Sequence, residues 1–398
     1  MKRFLSVMLA AAMLLSFAVL AAADNTGELA FKNGEFTILH ISDMQDDRYP
    51  AYDMQNFVRL AIEETDPDLI VITGDIVEDW RLGDFGVDAQ NGKEGVRVED
   101  IKGNLIYDET LDNVKVAVDN VFSIIEQSGI PYAVTQGNND YKAGISNEDW
   151  LNIYSEYEHC LVRDDSPDES GRIDYNLEIK GGDGSTAFNL WLMDTGRNSV
   201  NDEQIAWYKS RCAELKAANG GEPVPAMAFQ HINTSDIGNL FEECSIYDDG
   251  AIIKDGECYR LDRNVASGYN IGAVKPGETS DEFKAWKEQG DVIAAFFGHW
   301  HNEGYSGVVD GIELGFTYGC QFAKYGPYGC RVITLHEDDI KNYGNDLYVY
   351  TGSVKSGDAA LTKQAEQAPY RVIGTPVAKA YMTVVNLFRN LVYQIQSI

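Results

Sequence analysis

Short apolar runs recur along the chain, each stopped by a polar residue or a glycine, with amphipathic stretches between them. Phe36-Thr37-Ile38-Leu39-His40-Ile41-Ser42 is β-rich and stops at Asp43. Met54, Phe57, Val58, Leu60, Ala61 and Ile62 then follow a helical period, which predicts a helix ending near Thr65-Asp66-Pro67. Asp68-Leu69-Ile70-Val71-Ile72-Thr73 is an apolar strand that stops at Gly74-Asp75. A second helix is predicted from roughly Thr110 to Gln127, ended by Ser128-Gly129, and the strand Pro131 to Thr135 after it stops at Gly137-Asn138. Buried strands alternating with helices read as βαβ crossovers in a parallel sheet.

The middle of the chain alternates differently. Tyr175 to Ile179 and Ala187 to Met193 are strands joined by Gly181-Gly182-Asp183-Gly184, a hairpin signal. A helix over Asp202 to Lys216 leads to the strand Val224 to Phe229, which stops at Gln230-His231. A helix near Asp281 to Gln289 leads to Val292 to Phe297 and then to Gly298-His299-Trp300-His301. Two late strands follow, Arg331 to Leu335 and Leu347 to Tyr350. One α/β domain over residues 24–352, with an insertion at 240–270, is the simplest architecture.

The two ends read differently from this domain. Lys2 and Arg3 precede an apolar run from Phe4 to Leu20, and Ala21-Ala22-Ala23 offers a small-residue cleavage site, so residues 1–23 are expected to be a signal peptide. The expected location is therefore secreted or periplasmic, without stable membrane insertion after cleavage. Residues 353–398 form a C-terminal extension, in which Val377 to Ile398 fits a packed helix. The oligomeric state stays open.

Charge narrows the partners. The chain has 398 residues, with 63 Asp+Glu against 32 Lys+Arg and a net charge of −31. Nucleic acid is an unsuitable ligand for such a balance, because neutralising phosphates takes an excess of Lys and Arg. Anionic membrane surfaces are disfavoured for the same reason. In an exported protein the six cysteines are candidates for disulfides, with Cys244–Cys258 and Cys320–Cys330 each flanking a turn-rich segment. No Cys-x-x-Cys spacing suggests a structural zinc site.

Five apolar strands each stop at groups able to bind metal: Asp43, Asp75, Asn138, His231, and His299 with His301. Taken singly, an Asp after a strand is usually turn chemistry. In open α/β sheets, however, the carboxyl ends of strands line the ligand crevice, where such an ordered set converges. The set resembles that of the calcineurin-like metallophosphoesterase superfamily, which carries Asp-x-His, Gly-Asp, Gly-Asn-His-Glu/Asp, a lone His and Gly-His-x-His in that order. The matching stretches are Asp43-Met44-Gln45, Gly74-Asp75, Gly137-Asn138-Asn139-Asp140, His231 and Gly298-His299-Trp300-His301. Trp191 to Gly196, Gln204-x-x-Trp207-Tyr208 and the Gly/Tyr-rich stretch Tyr318 to Gly329 are most similar to its compact purple-acid-phosphatase-like branch.

The resemblance implies an α/β fold with a two-sheet β-sandwich flanked by helices. It further implies a phosphoesterase acting on a small phosphorylated substrate, a phosphomonoester, phosphodiester or pyrophosphate. Two divalent metal ions (Mn, Fe or Zn) would be bound, and a metal-bridging hydroxide would attack phosphorus. By matched position, Asp43, Gln45 and His301 would hold one metal, Asn138, His231 and His299 the other, and Asp75 would bridge. Lys324 and Tyr325 are candidate substrate-binding residues in the late loop.

Two departures from the pattern matter. Gln45 stands where the pattern has a histidine, and a carboxamide oxygen is a harder, weaker donor that favours Mn²⁺-like ions. Asp-x-Gln does resemble the corresponding motif of manganese-dependent ADP-ribose pyrophosphatases of the same superfamily. Asn139 replaces the histidine that assists the leaving group. It can donate a hydrogen bond but cannot shuttle a proton, which leaves Asp140 as the neighbouring acid. A relative that binds metal or a phosphorylated ligand without turnover is the alternative reading.

Overall fold

The computed structural model describes residues 28–78, 95–254, 256–270, 279–322, 327–352 and 359–364. Residues 1–23, where a signal peptide is expected, Lys324, Tyr325 and most of residues 353–398 lie outside these residues. The first half runs β1 (Leu29–Ala30), β2 (Glu35–Ile41), α1 (Tyr52–Thr65), β3 (Leu69–Thr73), α2 (Tyr107–Glu126) and β4 (Tyr132–Thr135). Then come α3 (Asn138–Ala143), α4 (Asn147–Tyr154), β5 (Tyr175–Lys180), β6 (Thr186–Met193), α5 (Asp202–Ala218) and β7 (Ala226–Gln230). An excursion holds β8 (Phe241–Glu243), β9 (Ile252–Lys254), β10 (Glu257–Leu261) and β11 (Ala266–Tyr269). The chain continues through α6 (Glu282–Gln289), β12 (Val292–Phe297), β13 (Gly304–Val309), β14 (Ile312–Phe316), β15 (Gly329–His336), β16 (Gly344–Thr351) and β17 (Ala360–Lys363).

These strands form a six-stranded sheet, ordered β17-β16-β15-β2-β3-β4, and an eight-stranded sheet, ordered β1-β5-β6-β7-β12-β14-β13-β11. A small sheet β8-β10-β9 stands apart within the excursion. The parallel reading holds for β2-β3-β4 and for β6-β7-β12-β14. It does not extend to one continuous sheet, because β15 to β17 and the β13–β14 hairpin add antiparallel edges.

Side-chain alternation explains the layering. Successive residues of a strand face opposite sides. Ile38, Leu69 and Val71 of the six-stranded sheet meet Met227, Phe229 and Phe296 of the eight-stranded sheet in the sandwich interior. Their neighbours Leu39, Ile41, Ile70 and Ile72 face outward under α1 and α2, against Phe57, Val58, Val118 and Phe122. On the far side, Ala226, Ala228, Ala295 and Phe297 pack under α5 and α6, against Tyr208, Leu215 and Trp286. Both faces of each parallel segment are therefore covered, which is why these strands read as continuous apolar runs. The result is a four-layer helix–sheet–sheet–helix sandwich.

Polar bolts cross the interior as well. Arg331 of β15 is buried, donates to Phe316 O of the other sheet and to Asn345 Oδ1, and lies 4.9 Å over the Phe296 ring. No described helix is long and apolar enough to cross a membrane. All six cysteines are thiols, with Cys244 and Cys258 Sγ atoms 3.4 Å apart across the small sheet.

Glu282, at the start of α6, is buried with Gln230 Nε2 3.2 Å from Oε2. Burial raises its pKa from 4.5 to about 8. The folded state thus holds a proton that the unfolded state releases, so this group's contribution to stability is lost as pH rises from 4.5 through about 8. Glu282→Gln is expected to remove that loss, gaining roughly 2–4 kcal/mol over wild type at pH 8 and close to nothing near the unfolded pKa. Urea unfolding at the two pH values checks this, and an equal gain at both would contradict it.

Candidate metal centre

The carboxyl ends of β2, β3 and β4 in one sheet, and of β7 and β12 in the other, meet at one edge of the sandwich. The loops after β2 and β3 run side by side there. Asp43 N donates to Gly74 O at 3.1 Å, Gln45 N to Asp75 O at 2.9 Å, and Asp46 N to Ile76 O at 3.0 Å. The Thr73 carbonyl ties in a third element, accepting from Ser42 Oγ at 2.9 Å and from His231 Nδ1 at 2.7 Å. That second bond fixes a proton on His231 Nδ1 and turns Nε2 toward the site.

Backbone strain gathers at this edge. Asp43, Gln45, Asp75 and His299 have φ of 54°, 42°, 50° and 71°. For residues other than glycine this left-handed region is costly and persists where surrounding contacts hold it. Two glycines permit the close packing. A Cβ on Gly137 would stand 2.2 Å from Asp75 N and 2.3 Å from its Oδ1, and one on Gly298 would stand 2.1 Å from Ser42 Oγ.

Asp75 lies at the middle of the side chains so assembled. Its Oδ1 is 3.3 Å from His231 Nε2 and accepts from Asn139 N at 2.7 Å, while Oδ2 accepts from Gln45 Nε2 at 2.8 Å and Asn139 Nδ2 at 3.0 Å. Asp43 Oδ1 is 3.2 Å from His301 Nε2, and its Oδ2 accepts from His299 N at 3.0 Å. One end of the Asn138 amide lies 3.1 Å from His231 Nε2 and 2.7 Å from His299 Nδ1. Two groups of potential ligand atoms result, Asp75–His231–His299 and Asp43–Asp75–His301, with all atoms of each within 4.8 Å of one another. Asp75 belongs to both.

The electrostatics of this cluster are those of a cation site. Burial opposes the charge on Asp75, but the adjacent His231 holds its carboxyl below the usual range. Burial likewise opposes charge on His231, and Asp75 overrides it, raising the imidazole to about 9. His299 is pushed down to about 4, by burial and then by His231. Asp43 Oδ1 and Gln45 Oε1 are buried without a hydrogen bond. The Asn138 amide has two orientations: turned one way its nitrogen donates to both imidazoles, turned the other its oxygen joins them as a third donor atom. Imidazole nitrogens with carboxylate and carboxamide oxygens fit divalent ions such as Mn²⁺, Fe²⁺ or Zn²⁺.

The remaining sequence candidates separate. Asn139 is buried beside Asp75. Asp140 is fully buried, and its oxygens accept from Ile76 N at 2.9 Å, Val77 N at 3.1 Å and Gly137 N at 2.7 Å. These bonds make it a clamp between the loop after β3 and the start of α3, and burial, then the neighbouring Asp75, raises its carboxyl to about 7. His40 is buried inside the sandwich on Thr73 Oγ1 at 2.8 Å, and His159 pairs with Glu126 at 2.8 Å. The sequence reading missed Lys142, whose Nζ lies 2.7 Å from Asn139 Oδ1. Its signal was the i,i+3 spacing from Asn139, which becomes a contact only once the unpredicted helix α3 is known.

Residues 36–303 match the family model described as calcineurin-like phosphoesterase, and the chain belongs to that family. It is 25% identical over 334 residues to "Probable inactive purple acid phosphatase 14" of Arabidopsis thaliana, covering 75% of this chain and 73% of that protein. It is 23% identical to "Probable inactive purple acid phosphatase 29" of the same plant, covering 76% and 77%. Among solved structures it is similar to a dimetal phosphatase from Danio rerio, with 12% identity, a TM-score of 0.46, and coverage of 79% of this chain and 94% of that one. A structure of PhoD is similar at 12% identity and a TM-score of 0.49, covering 85% and 70%.

Because Gly137 leaves no room for a side chain against Asp75, Gly137→Ala is expected to cost about 1–3 kcal/mol and to spread the ligand cluster. Thermal unfolding together with manganese binding checks both effects. A variant that melts and binds manganese like wild type would contradict the packing argument.

Proposed function

We propose that this chain is an exported dinuclear metal-dependent phosphoesterase acting on a small phosphorylated substrate. The observation that carries this reading is the shared position of Asp75 between two ligand groups. Asp43, Gln45 and His301 would hold one ion, Asn138, His231 and His299 the other, and Asp75 both. Divalent ions bound there supply Lewis acidity toward a phosphoryl oxygen.

The chain's own groups orient this machinery. The Thr73 carbonyl fixes the His231 ring, while Gln45 Nε2 and the Asn139 amide hold the Asp75 carboxylate in place. Asn139 offers hydrogen bonds and no transferable proton, so a departing oxygen receives no proton from this position. Good leaving groups, aryl oxides and the phosphate of an anhydride, are accordingly the favoured substrates. Basic residues near the start, the apolar run after them and Ala21-Ala22-Ala23 support export.

A second reading, a relative that binds metal or a phosphorylated ligand without turnover, is favoured by Asn139 and by the word "inactive" in the plant proteins' names. Elemental analysis combined with hydrolysis of substituted phenyl phosphates separates the two. Bound metal with turnover supports the enzyme; bound metal without turnover of the best leaving group supports the binding protein.

Three variants have distinct expected outcomes. Asp75→Asn removes the one carboxylate common to both groups and should lose most bound manganese, whereas Gln45→His should tighten the weaker of two ions in a chelator titration. Unchanged metal content in Asp75→Asn would overturn the dinuclear reading. In wild type the rate should depend steeply on leaving-group pKa, and Asn139→His should speed alkyl phosphates selectively, by up to ~10²-fold. A flat dependence in an active wild type would place a proton donor elsewhere.

A further inference from the structure

Helix α3 starts with the site residues Asn138 and Asn139 and brings Lys142 back onto them one turn later. The ammonium of Lys142 donates to Asn139 Oδ1 at 2.7 Å and stands 3.1 Å from the end of the Asn138 amide that points away from the imidazoles. The side chain is half-buried, yet among the described residues it forms no ion pair with a carboxylate. In a chain with 63 acidic residues and 32 basic ones, scarcity of carboxylates is no explanation. An ammonium carries three N–H donors, and among the described residues its one hydrogen-bond acceptor is a neutral amide. A partly desolvated cation so placed is poorly compensated within the protein and favours an anion from outside.

Three arginines stand around the same helix. Arg197 Nη2 donates to Tyr141 O at 3.4 Å, the Arg172 guanidinium lies 5.3 Å from the Tyr141 ring centre, and Arg97 Nη1 donates to Lys142 O at 3.1 Å. Arg97 is itself paired with Glu99 at 2.8 Å, which leaves Lys142, Arg172 and Arg197 as the cations there without an ion pair among the described residues, on the side of the site formed by Asn138 and Asn139. Such a patch draws anionic ligands toward the place where they bind.

We infer that Lys142 is a substrate-binding residue, whose ammonium, steered by Asn139, holds a phosphate oxygen of the substrate beside the metal ligands. This rests on the metal-centre reading above and extends it. The positive charge that the neutral Asn139 does not provide is supplied one helical turn away, and it suits substrates whose phosphate or leaving group stays fully anionic, phosphoric anhydrides and aryl phosphates.

The test uses inorganic phosphate as the ligand, titrated calorimetrically into manganese-loaded wild type, Lys142→Ala, Lys142→Met and Lys142→Arg, with manganese content measured on the same samples. Lys142→Ala and Lys142→Met should bind phosphate about 10-fold or more weakly with manganese content unchanged, and Lys142→Arg should recover most of the affinity. Equal phosphate affinity in wild type and Lys142→Ala at equal manganese content would overturn the assignment. If wild type takes up no manganese, the metal-centre reading falls by itself. Phosphate titration of the metal-free proteins then decides for Lys142: weaker binding by Lys142→Ala supports it, and no difference or no binding overturns it.

Discussion

A carboxylate buried at the end of a sheet strand has to be compensated on every side, and Asp75 sets the arrangement of everything around it. Two amide side chains, one backbone N–H and one imidazole converge on its two oxygens. Gln45 after β2 and His231 after β7 supply one each, and Asn139 at the start of α3 supplies two, its amide and its N–H. The glycine before that helix exists to let the loops approach, and Asp140 clamps the same loops from behind through three backbone N–H groups. Charge, loop geometry and packing at this edge are thus one constraint seen from three sides.

The spacing between the two sheets matters as much as either sheet alone. Asp43, Asp75 and Asn138 follow strands of the six-stranded sheet, and His231, His299 and His301 follow strands of the eight-stranded one. Carboxylates and carboxamides are delivered from one layer, imidazoles from the other. The apolar interior of Ile38, Val71, Met227, Phe229 and Phe296 and the Arg331 bolt therefore determine how far apart the two kinds of ligand stand. Compression or loosening of that interior would be felt at the site although no interior side chain reaches it.

Much of this was legible in the sequence where local physics dominates. The period of Met54 to Ile62 and the apolar runs ending at Thr73 and Phe297 gave α1, β3 and β12 nearly at their observed bounds. The ligand candidates were legible because each follows a buried strand. What was not legible depends on tertiary context. Tyr305 and Leu314 belong to a hairpin whose strands become recognisable only against β12 and β11. Helix α3 is too short to show a period, which hid both the clamp role of Asp140 and the approach of Lys142 to Asn139. The left-handed backbone at Gln45 has no sequence signal, since glutamine is not a residue that seeks it.

The bond from His299 N to Asp43 spans 256 residues of chain, and that from His231 to the Thr73 carbonyl spans 158. Contacts of such separation form late, because the entropy of closing long loops has to be met before they contribute. During synthesis the acidic half of the cluster emerges well before its imidazoles. A chain interrupted anywhere before the end of β7 presents Asp43 and Asp75 as an incomplete pair of carboxylates, without the nitrogen donors that select a transition metal over the more abundant Mg²⁺ and Ca²⁺. The full set of donors that would discriminate among ions therefore exists only in the finished fold.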